Sequence, residues 1–258
     1  MNNYINVLGI KIYYYGIIMG LALLIGIFIA EKKWKEKKMN IDIFNKMIVS
    51  ILICSFVGAR LWYVLFSGNL NYYFSNIINI INLKNGGLAI HGGILASILV
   101  IFYYSKKEKI NFFQMTDIAV ISLLLGQIIG RWGNFLNQEA HGPETTYEFL
   151  KNILHLPNFI IDGMNINGIY YQPTFLYESM LNLIGLIILI ILSKKIKKIG
   201  FSTGFYLFWY GLVRMFIELL RTDALLLGQI KIAFLASFIM FVSGLYLMLR
   251  RKNEDNRI

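Results

Sequence analysis

The sequence predicts an all-α integral membrane protein of seven transmembrane helices, with its amino terminus outside, its carboxyl terminus cytoplasmic, a small extracytoplasmic head and an interfacial helix. Three observations lead there. Of 258 residues, 57% are hydrophobic and only 15% charged, more apolar side chain than one soluble core of that length hides. Apolar runs long enough for the hydrocarbon core, roughly 20 residues each, recur along the whole length, so the chain reads as a single polytopic membrane domain over 1–258. The lysines and arginines gather in short blocks between those runs. A formal charge of +11 would also suit a nucleic-acid partner, but no basic patch interleaved with aromatics accompanies it, so none is expected and the blocks read as topology signals.

The spans are expected near 13–30, 43–67, 88–104, 112–135, 173–192, 201–220 and 230–249. The first ends in EKKWKEKK (31–38); its charge follows the apolar stretch instead of preceding it, which argues for a retained span and against a cleaved signal. The second holds Cys54, the single cysteine, in ILICSFVG, where it reads as buried filler and excludes an intrachain disulfide. Between the second and third spans, about 68–86, helical spacing places Ser75, Asn76, Asn79 and Asn82 opposite Ile77, Ile78, Ile80 and Ile81, as in a helix lying on the outer leaflet. The third span opens with GGLAIHGG and ends at SKKEKIN (105–111). After the fourth comes the longest outer segment, about 136–172, whose FIIDGMNINGIYYQP reads as two short strands around a turn. The fifth ends in SKKIKKI (193–199) and the seventh in RRKNEDNRI (250–258). These basic connectors alternate, which puts them in the cytoplasm; the opposite ones hold only Lys11, Lys84, Lys151, Arg221 and Lys231. No internal repeat is visible, and an odd number of spans fits poorly with the paired halves of secondary transporters.

Arg60, Arg131 and Arg214 fall inside predicted spans, toward their outer ends, where a charge is costly without a partner or a wet cavity. Arg60 has a bland reading, as an arginine that snorkels to lipid phosphates. At about 100° per residue, Tyr210, Arg214, Glu218 and Arg221 share one narrow arc of the sixth span, and Gln127, Arg131, Asn134 and Gln138 share one face of the fourth. Two polar stripes at one depth suggest a shared pocket; singly, Gln127 and Asn134 read as interhelical contacts. His91, between glycine pairs near the outer surface, offers a proton acceptor close to neutral pH, whereas His141 and His155 have no comparable setting. Guanidinium groups at phosphate depth suit a phosphodiester, with carboxylates such as Glu139 and Glu218 to hold them. Composition and spacing leave an anion transporter, a lipid-binding scaffold and a lipid-modifying enzyme open.

The segment GRWGNFLNQEAHG (130–142) resembles the hallmark run of prolipoprotein diacylglyceryl transferases, and further pieces follow the family's order: YYG (14–16), VGARLWYV (57–64), GGLAIHGG (86–93), QPTFLYE (172–178), YGLVRMFIELLRTD (210–223) and GQ (228–229). The resemblance covers almost the whole chain. It implies a seven-helix bundle with an outward-facing head in the bacterial cytoplasmic membrane. It also implies transfer of the diacylglyceryl group of phosphatidylglycerol to the lipobox cysteine of a preprolipoprotein signal peptide, releasing sn-glycerol 1-phosphate, with no metal or organic cofactor. By motif position, Arg131 and Arg214 would bind and stabilise the phosphate, and His91 occupies the candidate base position. Tyr15, Asn134, Asn137, Glu139, Gly142, Tyr210, Glu218 and Arg221 would shape the substrate site. One departure follows GQ, where the family's Leu-Ser-x-Pro-Met-like stretch is replaced by IKIAFLAS with Lys231 at its start.

Overall fold

A computed structural model describes residues 4–7, 10–82, 86–222, 226–227 and 230–250. Lys84, the GQ pair at 228–229 and the tail from 251 lie outside the described residues. The chain divides into two compact units, Met1–Ala30 with Asp117–Asn256, and Glu31–Thr116.

Helices of at least 18 residues overlie each expected span: α1 (Tyr14–Glu36), α2 (Ile41–Phe66), α5 (Ile90–Lys107), α6 (Phe112–Leu136), α8 (Thr174–Lys195), α9 (Phe201–Leu220) and α10 (Ile232–Leu249). Five of them, α1, α2, α6, α8 and α10, are long and apolar enough to cross a membrane by length and composition. In α5 the apolar run is diluted by His91, Lys106 and Lys107, and in α9 by Arg214 and Glu218. Large apolar side chains such as Leu24, Phe28, Ile53 and Phe102 stand on the surface, an arrangement that water penalises and lipid does not.

In the first unit, small residues let helices approach closely. A Cβ on Gly244 of α10 would lie 2.3 Å from the Phe208 nitrogen of α9, and one on Gly211 of α9 would lie 2.6 Å from the Ser237 carbonyl of α10. Gly185 of α8 similarly leaves room for the indole of Trp209, which donates to the Leu181 carbonyl at 3.0 Å. Val120, Ile121 and Leu124 of α6, Leu186 and Leu189 of α8, and Phe201, Phe205 and Tyr206 of α9 form the apolar core. Asp117, buried near the start of α6, accepts from the backbone N–H groups of Gly200 and Thr203 and from the Thr203 hydroxyl, at 2.7–2.8 Å. It thereby supplies the acceptors that the first turn of α9 cannot find within its own helix.

Between α6 and α8 sits the head, with its own core of Phe135, Leu150, Leu156, Ile160, Ile161, Met164 and Phe175. Strands β3 (Glu144–Thr145), β4 (Asn165–Ile166) and β5 (Ile169–Tyr171) pair antiparallel in the order β3-β5-β4. Of the two strands expected around a turn, the Asn167-Gly168 pair does turn between β4 and β5, both residues with positive φ, as a two-residue hairpin of this type demands. The preceding Asn158–Gly163 is a helix, α7, and not a strand: its Ile160 and Ile161 are both buried in the head core, adjacent contacts that alternation in a strand would send to opposite faces. A π-helical turn occupies Phe149–Ile153. Two hairpins lead into helices: β1 (Tyr4–Val7) with β2 (Ile10–Tyr13) before α1, and β6 (Leu226–Leu227) with β7 (Ile230–Lys231) between α9 and α10.

In the second unit, α2 and α5 pack backbone to backbone. A Cβ on Gly92 would sit 2.2 Å from the Gly58 carbonyl oxygen, and one on Gly58 would sit 2.6 Å from the Ala96 Cβ, so both glycines are required for the approach. The expected interfacial segment forms two short helices, α3 (Leu70–Ser75) and α4 (Ile77–Ile81). Arg60 of α2 ties them down. Its guanidinium donates to the carbonyls of Ile80, Asn79 and Asn82 at the end of α4 and to those of Gly86 and Gly87, at 2.6–3.1 Å. All five guanidinium donors serve the protein's own backbone, which corrects the reading of Arg60 as a snorkelling residue. Gly87, at φ 94°, is the position where only glycine fits, since a Cβ there would lie 2.3 Å from the Arg60 Nη1.

Candidate functional site

Helical periodicity brings the two polar stripes of α6 and α9 together, and α8 supplies what joins them. Glu178 of α8 is buried, and each of its carboxylate oxygens takes one arginine: Oε1 accepts from Arg131 Nη2 at 2.6 Å and Oε2 from Arg214 Nη1 at 3.4 Å. Arg214 is held a second time by Glu218, one turn further along α9, at 2.5 Å. Arg131 is held a second time by Asn134, whose Oδ1 accepts from Nη1 at 3.2 Å, and the Asn134 amide in turn donates to Glu139 at 2.8 Å. The side chains of Arg131 and Arg214 are 19% and 11% exposed and those of Glu178 and Glu218 only 2%. Charges so removed from water persist because each has an opposite partner at hydrogen-bonding distance.

A narrow cleft runs over this cluster, lined by Arg131, Asn134, Thr174, Glu178, Arg214 and Arg221 among others. Its rim is shaped by the turn after α6, where Gln138 and Ala140 take positive φ. The Gln138 side chain donates to the carbonyls of Gly163 and Asn165 and so anchors that turn to the head. Gly142 donates its N–H to the Gln172 carbonyl at 2.9 Å, and a Cβ there would press at 3.0 Å on both Gln172 and Thr174, which explains glycine at the motif's end. Thr174 reaches back with its hydroxyl to the Ala140 carbonyl at 2.7 Å. The Tyr15 ring covers Gly133, where a Cβ would meet it at 2.7 Å. Tyr210 neighbours Arg131 and Glu178 and stacks in parallel on Tyr206 at 5.8 Å. Asn137, partly exposed, follows the last turn of α6 with its N–H on the Gly133 carbonyl.

Of the site residues expected from sequence, Arg131, Asn134, Glu139, Arg214 and Glu218 form one hydrogen-bonded cluster, and Arg221 lines the cleft above it. Gln127, read as an interhelical contact, donates to the Tyr206 hydroxyl at 2.9 Å. His91 belongs to the second unit, exposed on the first turn of α5, whereas every member of the arginine cluster belongs to the first. Sequence reasoning assigned the arginine-holding role to Glu139 and Glu218 and missed Glu178. The signal was present, since Glu178 is the only acidic residue in α8 and an acid in so apolar a helix requires a cation. Lys231, in the segment that departs from the family pattern, donates to the carbonyls of Glu218 and Arg221 at 2.7 and 2.9 Å and so satisfies the carboxyl-terminal end of α9 beside the site.

The family model described as prolipoprotein diacylglyceryl transferase matches residues 3–250. Proteins of Bacillus cytotoxicus, Bacillus mycoides and Bacillus cereus, each named phosphatidylglycerol--prolipoprotein diacylglyceryl transferase, are 43% identical over 242 residues, 93% of this chain and 88% of theirs. The chain belongs to the prolipoprotein diacylglyceryl transferase family.

Proposed function

We propose that this chain transfers the diacylglyceryl group of phosphatidylglycerol to the lipobox cysteine of a preprolipoprotein signal peptide, forming a thioether and releasing sn-glycerol 1-phosphate. It does so as one polytopic domain in the bacterial cytoplasmic membrane, with seven spans, its amino terminus outside and its site toward the outer leaflet. α5 and α9 cross with the other five helices, Arg214 and Glu218 of α9 being buried and paired and His91, Lys106 and Lys107 of α5 lying at its two ends; the basic blocks at 31–38, 105–111 and 193–199 support the orientation. Family membership through both units supports a single working domain.

The observation that carries the reading is the pair Arg131 and Arg214, held side by side by Glu178 under a cleft. In the reaction the cysteine sulfur forms a bond to the glyceryl carbon while that carbon's bond to the phosphate oxygen breaks. The electron pair leaves with the phosphate. Negative charge therefore grows on the phosphate oxygens, and fixed guanidinium donors in a water-poor site stabilise that growth more than they stabilise the bound lipid. Tyr15, Asn134, Asn137, Glu139, Gly142, Tyr210, Glu218 and Arg221 shape the substrate site around the pair. The thiol proton must also go somewhere, since a cysteine of pKa about 8.5 is mostly protonated at neutral pH. His91 is the proposed acceptor.

The test is purified protein with phosphatidylglycerol vesicles and a lipobox peptide: lipidated peptide together with free glycerol phosphate is expected, whereas lipid retention without release would make the chain a binding protein. For His91, His91→Gln should slow transfer strongly at pH 7, with the defect shrinking as pH rises past about 8.5 and the thiol ionises unaided. A defect that is the same at every pH would give His91 a positioning role instead.

A further inference from the structure

Glu178 has a consequence beyond holding two side chains. The tetrad Arg131, Arg214, Glu178 and Glu218, buried except for the half-buried Arg131, carries two positive and two negative charges, so it sums to zero. The transfer reaction asks two opposed things of it. Bond breaking needs strong stabilisation of a phosphate whose charge rises from one negative toward two, because a phosphomonoester has a second ionisation near pH 6. Turnover then needs that same dianion to leave. The three groups left without Glu178, two arginines and Glu218, would carry a net positive charge in a low-dielectric setting and hold the dianion tightly.

We propose that Glu178 is a positioning residue that fixes both guanidinium groups and, by keeping the buried cluster neutral, lets the phosphomonoester product go. The geometry supports both halves. One carboxylate spans the two arginines with one oxygen each, so neither guanidinium can turn without losing a bond. Asn134 also holds Arg131 and Glu218 also holds Arg214, and among the described residues Glu178 is the one carboxylate that pairs with both. As the phosphate gains charge it competes with Glu178 for the same donors; when the product departs, Glu178 takes them back. The carboxylate is thus the resident anion of the site, present before the substrate's phosphate and after it.

This inference rests on the transfer reaction proposed above, and one set of assays separates the two. Wild type, Glu178→Gln and Glu178→Asp are compared for transfer rate, KM for phosphatidylglycerol, and inhibition by added sn-glycerol 1-phosphate. In Glu178→Gln, kcat should fall at least about tenfold with KM not raised, and half-inhibition should require at least about tenfold less glycerol phosphate, a change of about 1.4 kcal/mol in product binding. Glu178→Asp keeps the charge but is too short to reach both arginines: kcat should fall severalfold while product inhibition stays near that of wild type. A purely structural role would weaken product binding along with turnover in both variants. Product inhibition that is unchanged or weaker in Glu178→Gln overturns the proposal. If that variant does not fold, Glu178→Asp decides: unaltered kcat, or markedly tighter product binding with the charge retained, overturns it. Failure of wild type to release glycerol phosphate would instead overturn the transfer reaction itself.

Discussion

Arg131→Ala and Arg214→Ala are expected to lose lipid transfer, each by on the order of 10²–10³-fold or more, while the protein still inserts in the membrane. The expectation follows from where the charge develops. Each guanidinium is a fixed donor at the cleft, and a donor present before the bond breaks costs no reorganisation when charge appears on the phosphate. The two losses should differ in kind. Arg131 is the closer partner of Glu178, at 2.6 Å against 3.4 Å, so its removal leaves Glu178 leaning on Arg214 alone and frees Asn134 to relax toward Glu139. Arg214 holds the Glu218 carboxylate, so its removal takes that cation from a buried acid. A group stranded that way costs about 3–5 kcal/mol, and Arg214→Ala should therefore be the less stable of the two. Arg214→Lys, which keeps the charge but lacks the planar fork, should recover stability more than activity. Turnover unchanged in both alanine variants would remove the phosphate grip altogether.

The second large effect is on stability, at Arg60. Arg60→Ala should lower stability by on the order of 3–5 kcal/mol, because five backbone carbonyls lose their shared donor at once in a partly buried setting. Three of those carbonyls, of Asn79, Ile80 and Asn82, close the end of α4, where helix carbonyls have no partner of their own. Arg60→Lys should rescue only in part, since an ammonium offers three donors and no rigid fork. The measurement is the unfolding midpoint in detergent. A midpoint that does not move in Arg60→Ala would show that α3, α4 and the Gly86-Gly87 pair are held by other contacts.

How far the sequence carried this account depends on the range of each interaction. The stripes Gln127, Arg131, Asn134 and Gln138 on α6 and Tyr210, Arg214, Glu218 and Arg221 on α9 were legible because helical periodicity is local. Which residue would join them was not. Glu178 is 47 positions from Arg131 and 36 from Arg214, and nothing in its own neighbourhood TFLYESM says which cation it meets. Asp117 was passed over for the same reason, as its partners Gly200 and Thr203 are more than 80 positions away. Arg60 was misjudged in the other direction: its depth allowed contact with lipid phosphates, but the five carbonyls that fold back on it become visible only once α3 and α4 are placed. In the head, FIIDG has residues that favour a strand, and the helix α7 won because it buries Ile160 and Ile161 together against Phe135, Leu150 and Phe175.

The claim on which the rest depends is that the phosphate is the leaving group and that the arginine pair receives it. Phosphatidylglycerol carrying a heavy oxygen isotope in the bridge between the diacylglyceryl carbon and phosphorus tests this directly, with both products of wild-type turnover read by mass spectrometry. The account predicts one glycerol phosphate per modified peptide, with all of the label in the glycerol phosphate and none in the peptide. Label retained on the diacylglyceryl side, or modified peptide without matching glycerol phosphate, would contradict it.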